Sequence, residues 1–331
     1  MPQIIRLATP DDIPQLVDLL MLDAAARHAE DGILWKMAED APAQIEEALT
    51  FALTAEQQPF RQIWQVADEG GRIDGVIHWM LLPVPPIYAG PYGEPGLILP
   101  DSCAILDGPV GTVGALLSAA EETLRDAGAR IILSSHVTGE DWQTELKDAG
   151  YEPLTLYLSR TDLGDQGTPS NVRQVTEDDV AGIVTRSAEN RQVLFDIDPF
   201  WETHPEADSR FSAWMTRSLT LRDRDMMVMG MTEELDGYII AQPTSRLHFP
   251  PAHDITGTGV IDDYYHPELA DPTRLRDGSK GTTALLRAAE SAFANRGMDA
   301  AFVVCPAGWH SKIEILEAAG YEIAMIWSIK R

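Results

Sequence analysis

Residues 274–283 hold the densest chemistry in this chain: Arg274-Leu-Arg276-Asp-Gly278-Ser279-Lys280-Gly281-Thr282-Thr283. Glycines, hydroxyl side chains and cations run there straight into a helical pattern spanning residues 282–296. The first turn of any helix leaves amide N–H groups without intrahelical partners and places positive potential on them. Glycine lets a phosphate approach those amides, and Lys280 adds a full charge, so the segment reads as an anion cradle. It is neither a Walker loop nor a dinucleotide fingerprint, because G-x-x-x-x-G-K-[ST] and G-x-G-x-x-G are both absent. Taken alone it could be an ordinary turn before a helix. No Cys/His spacing suggests a metal site, and Cys305, at the end of the apolar run 300–305, reads as a core residue.

The elements around this segment are legible from periodicity. A strand carries Gly259-Val-Ile-Asp262-Asp263-Tyr264-Tyr265 just before the cradle. Behind it come a buried strand over 300–305, a helix over 311–319 that stops at Gly320, and a closing strand over 321–329. Upstream, strands over 226–231 and 235–241 form an antiparallel meander. Helices are expected near 180 and over 205–221. The first is announced by Thr176-Glu-Asp178-Asp179, a cap followed by carboxylates on the positive end of the helix.

The same order of elements occurs earlier in the chain, and four matches tie the copies together. Arg6-x-x-Thr9-x-Asp11-Asp12 matches Arg173-x-x-Thr176-x-Asp178-Asp179, and Asp74-Gly75-x-Ile77 matches Asp236-Gly237-x-Ile239. Leu117-Ser-Ala-Ala-Glu121 matches Leu286-Arg-Ala-Ala-Glu290, and Ala149-Gly-Tyr-Glu152 matches Ala319-Gly-Tyr-Glu322. The offsets, roughly 162 to 170 residues, are too long for a solenoid and fit a duplicated domain. We therefore expect residues 1–162 and 171–331 to be two α/β (α+β) domains, joined by a linker at 163–170. Each should be a mixed, mostly antiparallel twisted sheet with helices on both faces.

Composition narrows the partners. The chain has 331 residues, 44% of them hydrophobic, enough for two cores. Its formal charge of −27 argues against nucleic acid, whose phosphates require basic clusters. Such acidity steers cations at long range, although a salt-adapted surface would look the same. No apolar run is long enough to span a membrane, and no basic-then-apolar leader opens the chain. With two cysteines at non-equivalent places in the repeat, a reducing, cytoplasmic setting is expected. A monomer or homodimer is anticipated.

Taken together and in order, the motifs resemble the GNAT superfamily of acyl-CoA-dependent N-acetyltransferases, in both halves. Gly278-Ser-Lys-Gly281-Thr-Thr283 is similar to that family's pyrophosphate loop after the fourth strand. Tyr265-His-Pro-Glu268 resembles its Val-x-Pro-Glu, and Gly150-Tyr151 and Gly320-Tyr321 resemble its Gly-Phe/Tyr. The resemblance implies acetyl-CoA as acyl donor, without a metal, and a small, cationic amine as acceptor. Coenzyme would be held by the amides of Ser279, Lys280, Gly281, Thr282 and Thr283, with Arg274 or Arg276 and the bend at Gly278.

A carboxylate on the fourth strand would accept the amine proton, directly or through water. That strand holds Asp262 and Asp263, and alternation would put one of them on the pocket face. The position where the family commonly has a tyrosine acid is Leu316 here, which leaves His310, Tyr264 and Tyr265 as candidate acids. Trp201, Glu202 and His204 lie where the resemblance places the helices that cover substrate, and they suit a cation. The first half lacks a cation at its loop, Pro109-Val-Gly111-Thr-Val-Gly114, so the second half is the expected active copy. A non-catalytic coenzyme-binding or protein-interaction module on the same duplicated fold is the alternative.

Overall fold

The computed structural model describes residues 3–58, 60, 62–105, 108–139, 142–165, 167–275 and 279–331. In the first half the order is β1 (Ile4–Leu7), α1 (Ile13–Glu30), α2 (Ala41–Thr54), β2 (Gln62–Glu69), β3 (Arg72–Leu81), β4 (Gly96–Ile98) and β5 (Cys103–Ala104). It continues with α3 (Thr112–Asp126), β6 (Ile132–Val137), α4 (Trp142–Asp148) and β7 (Glu152–Arg160). The second half repeats the order: β8 (Val172–Gln174), α5 (Val180–Ile197), α6 (Ala207–Ser218), β9 (Asp225–Met231), β10 (Glu234–Pro243), β11 (Thr258–Ile261) and β12 (Tyr264–Tyr265). Then come α7 (Lys280–Asn295), β13 (Ala300–Pro306), α8 (His310–Ala318) and β14 (Glu322–Lys330).

The strands make one continuous sheet in the order β1-β2-β3-β4-β6-β14-β7-β13-β11-β10-β9-β8, with β5 on β3 and β12 on β10. Among the described residues only β4–β6 and β11–β13 pair in parallel. The closing strands are exchanged. β14, the last strand of the second half, lies between β6 and β7, while β7 pairs with β13 on its other side. Each half thus completes its sheet with a strand from the other. The central pair β7–β14 is antiparallel, with Leu156 opposite Ile326.

Helices cover both faces. Around the first half, α1 and α2 bury Leu16, Leu20, Ile45 and Leu49 against Trp64, Val66 and Val76. On the opposite face α3 and α4 bury Leu116, Leu124 and Leu146 against Ile77, Trp79 and Ile132. A third cluster belongs to neither half: Trp35, Leu133 and Tyr157 pack with Phe249, Phe302 and Trp327. Among the described residues no helix is long and apolar enough to cross a membrane.

The repeated Arg-x-x-Thr-x-Asp-Asp motif has a clear physical role. Arg6 grips the carboxylate of Asp12 with both guanidinium nitrogens at 2.7 and 2.8 Å, and Arg173 grips Asp179 at 2.6 and 2.7 Å. The same carboxylates accept from the amides and hydroxyls of Thr9 and Thr176. Each motif therefore ties the first strand of its half to the start of the first helix.

The halves also clasp each other reciprocally. Met37, between α1 and α2, bridges to His253, and Tyr88, between β3 and β4, bridges to Thr203. Lys36 pairs with Asp254 at 3.0 Å, and the amide of Ala89 donates to the carbonyl of Glu202 at 2.7 Å.

Two expectations follow. Residues 1–170 produced alone lack β13 and β14, so β6 exposes an unpaired edge and β7 loses both of its partners. That fragment should associate or aggregate when examined by light scattering, and a monomer that unfolds cooperatively would contradict the exchange. The second concerns Asp12, whose carboxyl Arg6 holds down at about 2, and Asp179, which Arg173 holds well below the usual range. Because the folded values are depressed, this stabilisation is complete above pH about 4 and is lost as pH falls through the folded value. Asp179→Asn should cost ~2 kcal/mol in denaturant unfolding at neutral pH. The gap between variant and wild type should narrow steadily as pH falls from about 4 toward 2, and a gap of constant size across that range would refute the assignment.

Candidate active site

The sequence suggests an unbroken strand over 259–265; the structure interrupts it at Asp262 and Asp263. β11 runs parallel to β13 from Thr258, opposite Ala300, to Ile261, opposite Val303. There the strands part. β12 stays on β10, with Tyr264 opposite Ile239, while β13 follows β7, with Cys305 opposite Leu156. A gap opens between β12 and β13. Asp263 carries a half-buried carboxylate into this break, and a carboxylate held away from water needs hydrogen-bond donors. Strict alternation therefore does not hold across this break.

Both acids find such donors. Asp263 accepts from the Tyr238 hydroxyl and, at 3.1 Å, from the side-chain amide of Asn190. Asp262 accepts from Gln242 at 3.2 Å and keeps contact with solvent. The surrounding protein and then the charge of Asp263 push the Asp262 carboxyl up to about 6. Asp263 is raised as well, by burial, against the pull of Tyr238 and the nearby cations.

Tyr88, carried across by the first half, lies within the field of these acids, and its phenol is raised by burial first and by Asp263 second. Its ring sits 5.5 Å from that of Trp201. Lys312 of α8 is 2% exposed, and its Nζ donates to the carbonyl of Tyr264 at 3.2 Å. Burial lowers its pKa. Cys305, nearby and wholly buried, has its thiol pushed up to about 12 by burial.

The start of α7 is strained and already holds an anion. Ser279 has φ of +32°, the only positive φ at a non-glycine position among the described residues. The carboxylate of Glu268 accepts from the amides of Gly281 at 3.3 Å and Thr282 at 2.9 Å, and from the Thr282 hydroxyl at 2.8 Å. The amide of Thr283 donates to the Ser279 carbonyl. Gly281 is required by close approach, since a Cβ there would lie 2.4 Å from His266 Nε2. A cavity of about 460 Å³ runs between α7 and α8, lined by Ser279, Thr283 and Arg287 on one side and Glu314, Ile315 and Ala318 on the other.

The remaining sequence candidates fall in different places. Lys280 is exposed, and Arg274 is exposed beside Asp271 at 3.7 Å. Arg276 and Gly278 lie outside the described residues. Tyr264 is fully buried, its hydroxyl donating to the Thr282 carbonyl at 2.5 Å, so it ties β12 to α7 inside the core. His310 opens α8 and is exposed. Trp201, Glu202 and His204 sit in the clasp with the first half, where His204 donates its amide to the carbonyl of Ile87 at 3.0 Å.

Sequence reading missed Lys312, whose signal was a cation one helical turn before Leu316. It also missed Tyr88, which has no counterpart in the motifs, and a buried dyad joining β3 to the turn after β4, where His78 Nδ1 lies 2.8 Å from Asp101. Among the described residues no group of three or more His, Cys, Asp or Glu is arranged to hold a metal ion.

No family model matches the sequence, and no curated protein matches it. The fold is matched along its length. A solved structure described as a tandem GNAT protein from the clavulanic acid biosynthesis pathway superposes with a TM-score of 0.50 and 15% identity, covering 99% of this chain and 97% of that one. A GCN5-related N-acetyltransferase from Sphaerobacter thermophilus superposes with a TM-score of 0.53 and 15% identity, covering 99% and 95%. Along its whole length this chain has the tandem GNAT fold.

Proposed function

We propose that the protein is an acyl-CoA-dependent N-acetyltransferase that moves an acetyl group from acetyl-CoA to the amine of a small, cationic molecule. Residues 171–331 are the working half, and residues 1–162 shape the acceptor side. The observation that carries this reading is the gap between β12 and β13. A proton-accepting carboxyl stands at its edge, and β12 is bonded directly to the first turn of α7.

The residues present fit an acyl-CoA. Glu268 is an internal anion on the amides of Gly281 and Thr282, so this helix end does bind negative charge. Ser279, Lys280 and Thr283 would hold the pyrophosphate, and the cavity between α7 and α8 has room for the rest of the carrier. When bound, acetyl-CoA supplies the thioester carbonyl. Asp262 accepts the amine proton, because a carboxyl near 6 is a better base than an ordinary aspartate and its side chain reaches solvent. Asp263, fixed by Tyr238 and Asn190, raises its neighbour by like charge. Trp201 and Tyr88 form an aromatic wall suited to a cation.

Glu268 also favours a second reading. Phosphate reaches the amides of Gly281 and Thr282 only by displacing it, as would suit a protein-interaction module on the same fold without turnover. Thiol release from acetyl-CoA with a panel of polyamines, aminoglycosides and amino acids separates the two.

Lys280→Glu should weaken acetyl-CoA binding at least tenfold, about 1.4 kcal/mol, while Thr112→Glu at the equivalent helix of the first half should leave it unchanged. Equal calorimetric affinities for both variants would overturn the site. With an acceptor in hand, kcat/KM should rise with pH through about 6, as Asp262 loses its proton. Asp263→Asn should move that limb to lower pH by removing the like charge, and Asp262→Asn should abolish it with a ~100-fold loss of rate. A limb left intact in Asp262→Asn would rule this residue out as the base.

A further inference from the structure

Lys312 is a buried cation that the proposed acyl transfer does not yet use. It lies in α8 one turn before Leu316, so both side chains project from the same helix face, and both are buried. Its ammonium makes no ion pair within the described residues. It is held by the Tyr264 carbonyl and lies 5.1 Å from the Tyr264 ring and 5.0 Å from the Trp309 ring. An ammonium hidden from water without a carboxylate partner costs stability.

Its position gives that cost a use. Along the strand, the carbonyl of Asp263 points to β10, where it accepts from the amide of Ile240. The carbonyl of Tyr264, next in sequence, points the other way, into the gap between β12 and β13. Lys312 Nζ is its donor. The groups facing the ammonium are Asp262 and Asp263 ahead of β12, the Tyr264 ring, Cys305 from β13 and the Trp309 ring.

Building on the reading of this gap as the acyl-transfer site, we infer that Lys312 receives the leaving thiolate of the acyl donor and protonates it. The amine nitrogen bonds to the thioester carbonyl carbon, and Asp262 takes the amine proton. As the carbon–sulfur bond breaks, its electron pair stays on sulfur, and an Nζ proton passes to it. After the products leave, Asp262 gives up its proton and Lys312 takes one up, so the net transfer is from nitrogen to sulfur. Burial makes the ammonium a readier acid, and its charge attracts the thiolate.

Lys312→Met keeps the aliphatic stem and removes the charge, and Lys312→Gln replaces it should the first variant fail to melt cooperatively. Free coenzyme A is bound to each protein, and the ultraviolet absorption of its thiolate is followed against pH. The bound thiol should ionise about one pH unit or more lower in the wild type than in the variant, a tenfold difference. Thiol release from acetyl-CoA with spermidine should fall ~100-fold in kcat, with the acetyl-CoA KM little changed. Identical thiol ionisation in two proteins that both bind coenzyme A would overturn the role of Lys312 and leave the transferase reading standing. A wild-type protein that binds no coenzyme A in calorimetry would overturn both.

Discussion

The antiparallel pairing of β7 with β14 is the constraint on which the rest of this structure depends. Each of these strands also pairs with a strand of the opposite half, so neither sheet is complete without the other chain segment. Strand pairing leaves no tolerance for slippage here, because both faces are packed: a shift of one residue would exchange Leu156 and Leu158 for the neighbours that face the opposite core. The shared centre, with Tyr157, Phe302 and Trp327, places the two halves in a fixed relation. That relation brings Tyr88 of the first half to the acids of the second.

The chemistry of the site comes from interrupting this order. Where β11 gives way to β12, the sheet exchanges a ladder for two carboxylates, and the strands that had been neighbours separate. Desolvation and like charge then make Asp262 more basic than an ordinary aspartate. Just behind it, the strained Ser279 and the amides around Gly281 form a positive helix end, on which Glu268 sits as a built-in anion. The raised carboxyl of Asp262, the helix end held by Glu268 and the buried ammonium of Lys312 all border β12.

Some of this was legible in the linear chain. The Arg-x-x-Thr-x-Asp-Asp motif announced each first helix correctly because its bonds span three to six residues, short enough for residue type and spacing to decide. Gly297 and Gly320 marked helix ends, and both adopt positive φ. The break in the fourth strand was not legible, since Asp262 and Asp263 fit an alternating pattern until the donors Tyr238, Asn190 and Gln242 are known. Those donors lie between 20 and 73 residues away along the chain. Tyr264 read as a candidate acid because a tyrosine near a cradle is suggestive, yet its hydroxyl is spent on the backbone of α7.

By itself the amino-acid order determined that there are two copies of one unit, what each unit's elements are, and where a helix would present its amides. These follow from local spacing, capping and the period of apolar residues, all of which act over a few turns. Only the tertiary structure decided that the halves exchange their last strands, that Tyr88 crosses to the second half, and that Lys312 is sealed against Tyr264. Those outcomes depend on edges and cavities formed by segments far apart in the chain, and a hydrogen bond or buried charge acquires its partner only when packing brings the two together.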